Sequence, residues 1–166
     1  MASLAIRHDA ETNPIDLVEI LAGERDWMVD RSCEDEVNLV VGGSWCDLHL
    51  SFNWHAGMEG LHLASTFDLK VPKNRRDEVT RVLALINEQL FYGHFDLWQQ
   101  EGDLLFRHST MLTDGAQLTA AQCDAMMAMV LNACEKYYPV FQFVIWAGKT
   151  AQEAMAASML ETHGEA

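Results

Sequence analysis

The residues of this chain best suited to chemistry, by type and spacing, lie in residues 45–67, WCDLHLSFNWHAGMEGLHLASTF. Two runs of alternating apolar and polar residues follow one another there, and each places one histidine on its polar side, His49 and His62. The short link between the runs contains Gly57, which favours an antiparallel hairpin. Both imidazoles are therefore predicted on one wet face of a sheet, where they could bind a metal ion or respond to pH.

The register of this hairpin decides whether the two histidines are neighbours. Pairing Leu50 with Leu61 sets His49 directly across from His62. A shift by two residues instead places His62 opposite Ser51 and leaves His49 diagonal to it. Both registers bring the imidazoles close together.

Two histidines do not complete a zinc site, because zinc takes four ligands and even a catalytic zinc needs three from the protein. Asp47, His55 or Asp68 would have to supply the rest, and none has the spacing of a metal motif. A glycine-rich phosphate loop, an HExxH helix and a nucleophile elbow are missing as well. The sequence predicts no catalytic residue, cofactor or metal, and ordinary surface histidines are the preferred interpretation.

Composition limits the classes of partner. The 166 residues suit one domain with one core, and a hydrophobic content of 49% indicates a folded chain. With 25 acidic against 11 basic residues, the formal net charge is -14. Such a charge repels the phosphates of nucleic acids and of anionic membrane surfaces. We therefore expect neither nucleic acid nor membrane as a partner.

The cysteines and the chain start predict a cytoplasmic protein. The four cysteines show no CxxC spacing, which indicates free thiols. The first residues lack a signal-peptide pattern, and no apolar run is long enough for a transmembrane helix.

Charge is unevenly distributed along the chain. The N-terminal acidic surface is either solvated or a docking surface for a basic partner. Arg75 and Arg76 likewise form either a solvated face or a contact for an acidic partner. The crowded carboxylates are Asp9, Glu11, Asp16, Glu19, Glu24, Asp26, Asp30, Glu34, Asp35 and Glu36.

Changes of hydrophobic period predict the order α-β-β-β-β-α-β-β-α, an α+β fold with an antiparallel sheet and helices packed on one face. The first helix spans 14–22, capped by Asn13 and ended by Gly23 in the left-handed conformation. The second spans 75–91, with Asn74 and Asp77 as a capping pair and Gly93 at its end. We expect a flexible leader over 1–12, one domain over 13–160 and a frayed tail over 161–166.

The last predicted helix, capped by Thr119, has almost no polar face. A single sheet covers only one side of such a helix, so its other side is predicted to meet a second copy of the chain. Alternatively, residues 141–146 form a buried strand after a break at Pro139.

The chain from 13 to 160 resembles the bacterial YbjN-domain family, in the branch common among alphaproteobacteria. The resemblance is carried by RDWMVDR, WCDLHLSFNW, LHLASTFDLKVPKNRRDEV, LINEQLFYGHFDLW, LLFRHS and YYPVFQFVIWAGKTAQEAM. It implies the fold of class I type III secretion chaperones, which are small, acidic, dimeric proteins that hold extended segments of other proteins. Family members are described as sensory transduction regulators, and the resemblance supplies no catalytic residue.

Two functional hypotheses follow. In the first, the chain is a non-catalytic, homodimeric protein-binding module, chaperone-like or regulatory, that engages a segment of an unidentified protein through apolar surfaces. In the second, a metal-dependent sensor or enzyme uses His49 and His62 on the exposed sheet face. The anchors predicted for partner or dimer contacts are Trp54, Phe67, Trp98, Phe141 and Trp146.

Overall fold

The computed structural model describes residues 13–163, and the predicted leader over 1–12 lies outside them. Short 3-10 turns at Ala56–Met58 and Lys73–Arg75 join neighbouring elements. The elements are α1 (Pro14–Glu24), β1 (Met28–Cys33), β2 (Glu36–Gly42), β3 (Asp47–His55), β4 (Gly60–Lys70), α2 (Arg76–Asn87), β5 (His94–Trp98), β6 (Asp103–Met111), α3 (Ala120–Ile145) and α4 (Ala151–His163).

The strands form one six-stranded antiparallel sheet in the order β1-β2-β3-β4-β6-β5. Alternate residues of β2, β3 and β4 are buried in one core together with the helices, and the residues between them are more exposed. The predicted α+β class is confirmed, with a fourth helix added after the predicted last one. Among residues 13–163, no helix is both long and apolar enough to cross a bilayer.

An aromatic cluster fills the core between the sheet and α3. The ring centroid of Phe95 lies 5.1 Å from that of Phe106 and 5.2 Å from that of Phe141. Phe67 stacks on Phe95 at 6.0 Å. Burying one such side chain contributes about 1.5 to 3 kcal/mol, so this cluster supplies a large share of the hydrophobic stabilisation.

The first helix ends differently from its prediction. It continues through Gly23 to Glu24, and the residue with a positive φ is Asp26, at 55°. The Arg25 side chain donates to the Leu21 carbonyl at 2.8 Å, so a cation satisfies the helix end in place of a left-handed glycine. The predicted cap is confirmed, because the Asn13 side chain accepts from the N–H of Ile15.

The second helix is shorter than predicted. It begins at Arg76 and ends at Asn87, and no side chain caps its start, so the predicted capping pair is wrong. The Arg75 guanidinium is turned away from solvent and donates to the carbonyls of Val144 at 2.8 Å and Lys149 at 2.7 Å.

Arg76 donates to the carbonyl of Val71 at 3.2 Å and also to that of Gln99. Both arginines therefore hold segments of this chain together and do not form a merely solvated face; the acidic partner stays a prediction.

Two helices occupy the segment predicted as one. α3 runs through Pro139 to Ile145, so the alternative strand over 141–146 is wrong. Thr119 caps α3 in a capping box with Gln122, as its type predicts. The chain then turns at Gly148, whose φ is 67°, and α4 folds back onto α3.

α4 covers part of the side of α3 that the sequence assigned to a second copy. Ala151 and Ala154 are fully buried, and the start of α4 is tied to α2 by the N–H of Ala151, which donates to Glu78 Oε1 at 2.7 Å. α4 is helical to His163, three residues into the tail predicted to fray from 161; residues 164–166 lie outside the described range.

Candidate protein-binding surfaces

The two histidines of the hairpin lie on the same open face of the sheet but are not neighbours. His49 pairs with Thr66 and His62 with Asn53, so both predicted registers are wrong. Four residues of β4 separate the two positions, which corresponds to roughly 13 Å along the strand.

The reason for the shifted register lies in the turn. β3 continues through Trp54 to His55, and Glu59 adopts a left-handed conformation (φ 48°) after the 3-10 turn. The turn therefore begins later than the alternation of apolar and polar residues predicts, and every cross-strand pair of β3 and β4 is shifted accordingly.

His62 has a polar but metal-poor environment. Its Nδ1 lies 2.9 Å from Ser109 Oγ. Partial burial lowers the pKa of His62, and the nearby charges of Arg107, His55 and His94 lower it further, which favours the neutral ring at pH 7. No group of three or more His, Cys, Asp or Glu within residues 13–163 could hold a metal ion.

The five predicted anchors do not form one surface. Phe67 and Phe141 face each other in the core with ring centroids 6.0 Å apart, and Phe141 is 0% exposed. Trp54 is partly buried at the edge of the core. Trp98 is half exposed at the end of β5, and Trp146 is 64% exposed just after α3. Only the tryptophans are therefore available for contacts with another chain.

An apolar groove of about 920 Å³ lies between α3, α4 and the β2–β3 turn, and we call it the α3–α4 groove. Trp45 lines the groove from the β2–β3 turn and is 51% exposed, and Met159 lines it from α4 and is 58% exposed. Methionine side chains adapt to differently shaped ligands because they are unbranched and flexible. The apolar lining consists of Trp45, Tyr137, Pro139, Val140, Phe143, Met155 and Met159.

The position of Trp45 is set by close packing of the turn against α3. A Cβ on Gly43 would lie 2.4 Å from Glu135 Oε1 and 2.6 Å from the carbonyl oxygen of Cys46, so only glycine fits there. The same Glu135 oxygen accepts from the N–H of Ser44 at 2.8 Å. The turn is thereby fixed on α3, and it presents the indole to the groove.

The other wall, α4, is held at its first turn. Thr150 and Glu153 exchange hydrogen bonds in the manner of a capping box, at 2.9 and 3.2 Å. The bond from the N–H of Ala151 lowers the pKa of Glu78, and the bond from Arg81 adds to that effect. The charged form of Glu78 therefore favours the docking of α4 that builds the groove.

A second exposed apolar feature lies in the loop between α2 and β5, and we call it the Phe91–Tyr92 patch. Phe91 is 89% exposed and Tyr92 is 60% exposed, with ring centroids 4.7 Å apart. Gly93 follows with φ 69°, and a Cβ there would lie 2.3 Å from Cζ of Phe106. The tight turn holds the two rings outside the core.

The neighbouring edge of the sheet is closed to further strands. The Asn87 side chain donates to the carbonyl of Phe95 at 3.0 Å and accepts from its N–H at 2.8 Å, which occupies the position of another strand. The N–H of Leu97 bonds to Asp96 Oδ1 at 2.9 Å. Contacts at this edge must therefore use side chains rather than strand addition.

The buried thiols are poorly suited to nucleophilic chemistry. Burial raises the pKa of Cys123 to about 11 and that of Cys134 to about 12. The Cys134 thiol donates to the hydroxyl of Ser65, the buried polar residue of the core, at 3.8 Å. These cysteines are structural.

Sequence reasoning missed Trp45, Phe91 and Tyr92, the most prominent side chains of the two apolar features. A signal existed for the pair, because FYG places two aromatic residues directly before a turn glycine. For Trp45 the corresponding signal was its place in the glycine-containing turn GGSW.

Comparison with known proteins identifies a family and a fold. The family model YbjN, described as "Putative bacterial sensory transduction regulator", matches residues 14–143. This confirms the resemblance carried by the sequence motifs; the alphaproteobacterial branch stays a prediction. No curated protein sequence matches the chain significantly.

Three solved structures share the fold. The ExsC–ExsE complex is similar with a TM-score of 0.53 at 21% identity, covering 74% of this chain and 88% of the other. YbjN from E. coli, titled a putative transcription regulator, gives 0.52 at 10% identity, covering 73% and 85%. The HopA1–SchA chaperone–effector complex gives 0.51 at 14% identity, covering 71% and 87%. At these identities the likeness shows the fold alone.

Proposed function

The chain belongs to the YbjN family, and we propose from this premise that it is a non-catalytic, chaperone-like or regulatory module that binds a segment of another protein as a homodimer. Two of the structural relatives are complexes with a protein partner, one of them titled a chaperone–effector complex. The four cysteines are free, which supports a reducing compartment, the cytoplasm.

The observation that carries the proposal is the α3–α4 groove. Its tryptophan and methionine walls remain exposed after the chain has buried its own core, and exposed apolar patches of this kind typically mark protein contacts. Trp45 is exposed and is of a type enriched among the residues that dominate binding energy. Phe143 is partly buried, and phenylalanine is enriched at interfaces. An amphipathic segment of the partner would place its apolar side chains between them.

The homodimer is assigned to the Phe91–Tyr92 patch. An isolated chain gains nothing in stability from a phenylalanine that is 89% exposed, whereas a second copy packed on the patch would bury both rings. Asn87 already occupies the edge of β5, so the two copies would meet through side chains and each sheet would remain six-stranded.

The test of partner binding begins with cross-linking and affinity purification from the native bacterium. The polypeptide recovered is identified, produced separately and titrated calorimetrically against the pure chain. Trp45→Ser combined with Met159→Ser is expected to weaken binding about tenfold or more.

Met28→Ser combined with Met111→Ser is the control, because it removes two exposed apolar side chains that lie outside both grooves. Its affinity should equal that of the wild type. If the control and the groove variant bind equally well, or if the wild type binds no polypeptide, the proposed use of the α3–α4 groove is wrong.

A further inference from the structure

A second groove, of about 870 Å³, lies at the end of the sheet where β3 turns into β4. Its walls are the start of α1, the β1–β2 turn, the β3–β4 hairpin and the segment between β6 and α3. Trp54 provides aromatic surface, and Leu112 and Leu118 extend the apolar floor. We call it the acidic groove because its carboxylates are Glu34, Asp35, Glu59 and Asp114.

Hydrogen bonds hold two of these walls together. The Asn13 amide donates to the carbonyl of Glu34 at 3.1 Å and to Asp35 Oδ1 at 2.8 Å, so the cap of α1 also fixes the β1–β2 turn. The backbone N–H of Trp54 donates to the carbonyl of Asp35 at 2.9 Å, which ties the same turn to β3.

The other two walls are joined through Glu59. Its carbonyl accepts from the N–H of Leu112 at 2.8 Å, and its Oε1 accepts from that of Asp114 at 3.2 Å. The groove is therefore formed before any ligand arrives, which reduces the ordering that binding must impose.

The charge of this groove is uncompensated. No lysine, arginine or histidine lines it, and none of its four carboxylates takes part in an ion pair within residues 13–163. Arg31 donates to the Glu34 carbonyl, but Asp16 at 3.0 Å and Glu19 at 2.7 Å already pair with its charge. The positive end of α1, which begins at Pro14 on the rim, supplies about half an elementary charge, too little to offset four carboxylates.

We propose that the acidic groove is a docking site for a basic, leucine- or aromatic-containing segment of a protein partner. An apolar side chain of that segment packs on Trp54 and Leu118, and flanking lysines or arginines face the carboxylates. This adds a second docking surface to the proposed function and does not depend on the α3–α4 groove.

Charge complementarity selects this occupant over the two alternatives within the same protein. A second copy of the chain has 25 acidic against 11 basic residues, so it offers this groove no excess of positive charge. The leader over 1–12 carries two carboxylates, Asp9 and Glu11, against the single arginine Arg7, so it offers no excess of positive charge.

The test uses a short fluorescein-labelled peptide of alternating lysine and leucine with serine spacers, and a matched peptide with glutamate in place of lysine. Fluorescence anisotropy of the full chain should show binding of the lysine peptide alone. Its affinity should fall as salt rises from about 20 mM to about 300 mM, because the carboxylates at the rim are solvent-accessible and screened.

Glu34→Gln combined with Asp114→Asn removes two groove charges while keeping side-chain size, and should weaken peptide binding about fivefold or more. Glu88→Gln combined with Glu101→Gln removes the same total charge outside the groove and should change affinity by less than about twofold. Circular dichroism establishes that both variants are folded.

Equal losses in the two variants would reveal general attraction to an acidic protein and overturn the proposal, as would the absence of binding. Binding that appears only after residues 1–12 are deleted would make the leader the occupant and overturn it too. A partner that still binds through the α3–α4 groove while the lysine peptide does not would refute the acidic groove alone and leave the proposed function intact.

Discussion

Two groups of aromatic side chains in this molecule have opposite surroundings. One group packs between the sheet and α3 with ring centroids 5 to 6 Å apart, and several of its members are fully buried. The other group is exposed on loops and at the ends of helices and strands. The buried group is Phe67, Phe95, Phe106 and Phe141, and the exposed group is Trp45, Phe91, Tyr92, Trp98 and Trp146.

The hydrophobicity of a segment therefore predicts how much surface it can bury, but it does not predict which of its side chains are buried. Phe141 and Trp146 belong to one apolar stretch, yet one is 0% exposed and the other 64% exposed. Phe141 lies on the sheet-facing side of α3, whereas Trp146 follows its last helical residue. The buried group stabilises the fold, and the exposed group is available for contacts with other chains.

The largest loss of stability is expected on substitution of Phe141, a member of the buried group. Phe141→Ala leaves a cavity beside the rings of Phe67 and Phe95 and should lower the free energy of unfolding by about 3 to 5 kcal/mol. Trp146→Ala removes a larger side chain but should cost less than about 0.5 kcal/mol. Urea unfolding followed by circular dichroism measures both. Similar losses in the two variants would erase the distinction between the groups.

Substitution of Gly93, the turn glycine that follows Phe91 and Tyr92, should cause the next largest loss of stability. Gly93→Ala combines a positive φ with a Cβ 2.3 Å from Phe106, and should destabilise the fold by about 1 to 3 kcal/mol. Gly57→Ala is the control, because no atom lies within 4 Å of its added Cβ and its backbone needs no positive φ. If both variants unfold at the same urea concentration, the turn does not constrain the rings.

Acid should loosen the α4 wall of the α3–α4 groove. Because the pKa of Glu78 is lowered in the folded state, its contribution to stability is present above the ordinary glutamate pKa of 4.5 and is lost as pH falls through the lower folded value. Glu78→Gln should therefore be less stable than the wild type at about pH 7, and this gap should be smaller at about pH 3.

Urea unfolding at the two pH values measures this difference. Glu88→Gln is the control, because Glu88 is an exposed carboxylate at the end of α2. A stability gap between Glu78→Gln and the wild type that stays constant with pH would show that the Glu78 charge does not hold α4.

The smallest effect on the stability of the monomer is expected at the Phe91–Tyr92 patch, although its substitution should remove the dimer. Phe91→Ser combined with Tyr92→Ser should change the free energy of unfolding of the monomer by less than about 0.5 kcal/mol, because the rings lie mostly in solvent. Unfolding is followed at a dilution where the chain is monomeric. A loss of several kcal/mol there would assign the patch to the fold.

Much of the fold follows from the sequence, because local periodicity encodes strands and helices. The alternation through Leu48, Leu50 and Phe52 predicts β3, and Thr119 predicts the start of α3. The strand register does not follow from alternation, because it depends on a left-handed Glu59 in the turn.

The role of Arg75 is equally hidden, since its carbonyl acceptor on Val144 is 69 residues away. Grooves depend on such long-range placement. Of the five predicted anchors, Trp54 alone lines a groove, and it lies in the acidic groove rather than in the α3–α4 groove.

The solution mass shows whether the exposed aromatic side chains bind a second copy of the chain. Light scattering on a size-exclusion column, over a range of concentrations, compares the wild type with the Phe91→Ser and Tyr92→Ser double variant. We expect a wild-type mass of twice 18.7 kDa and a folded variant at 18.7 kDa. A wild type that stays at 18.7 kDa at every concentration would rule out this dimer.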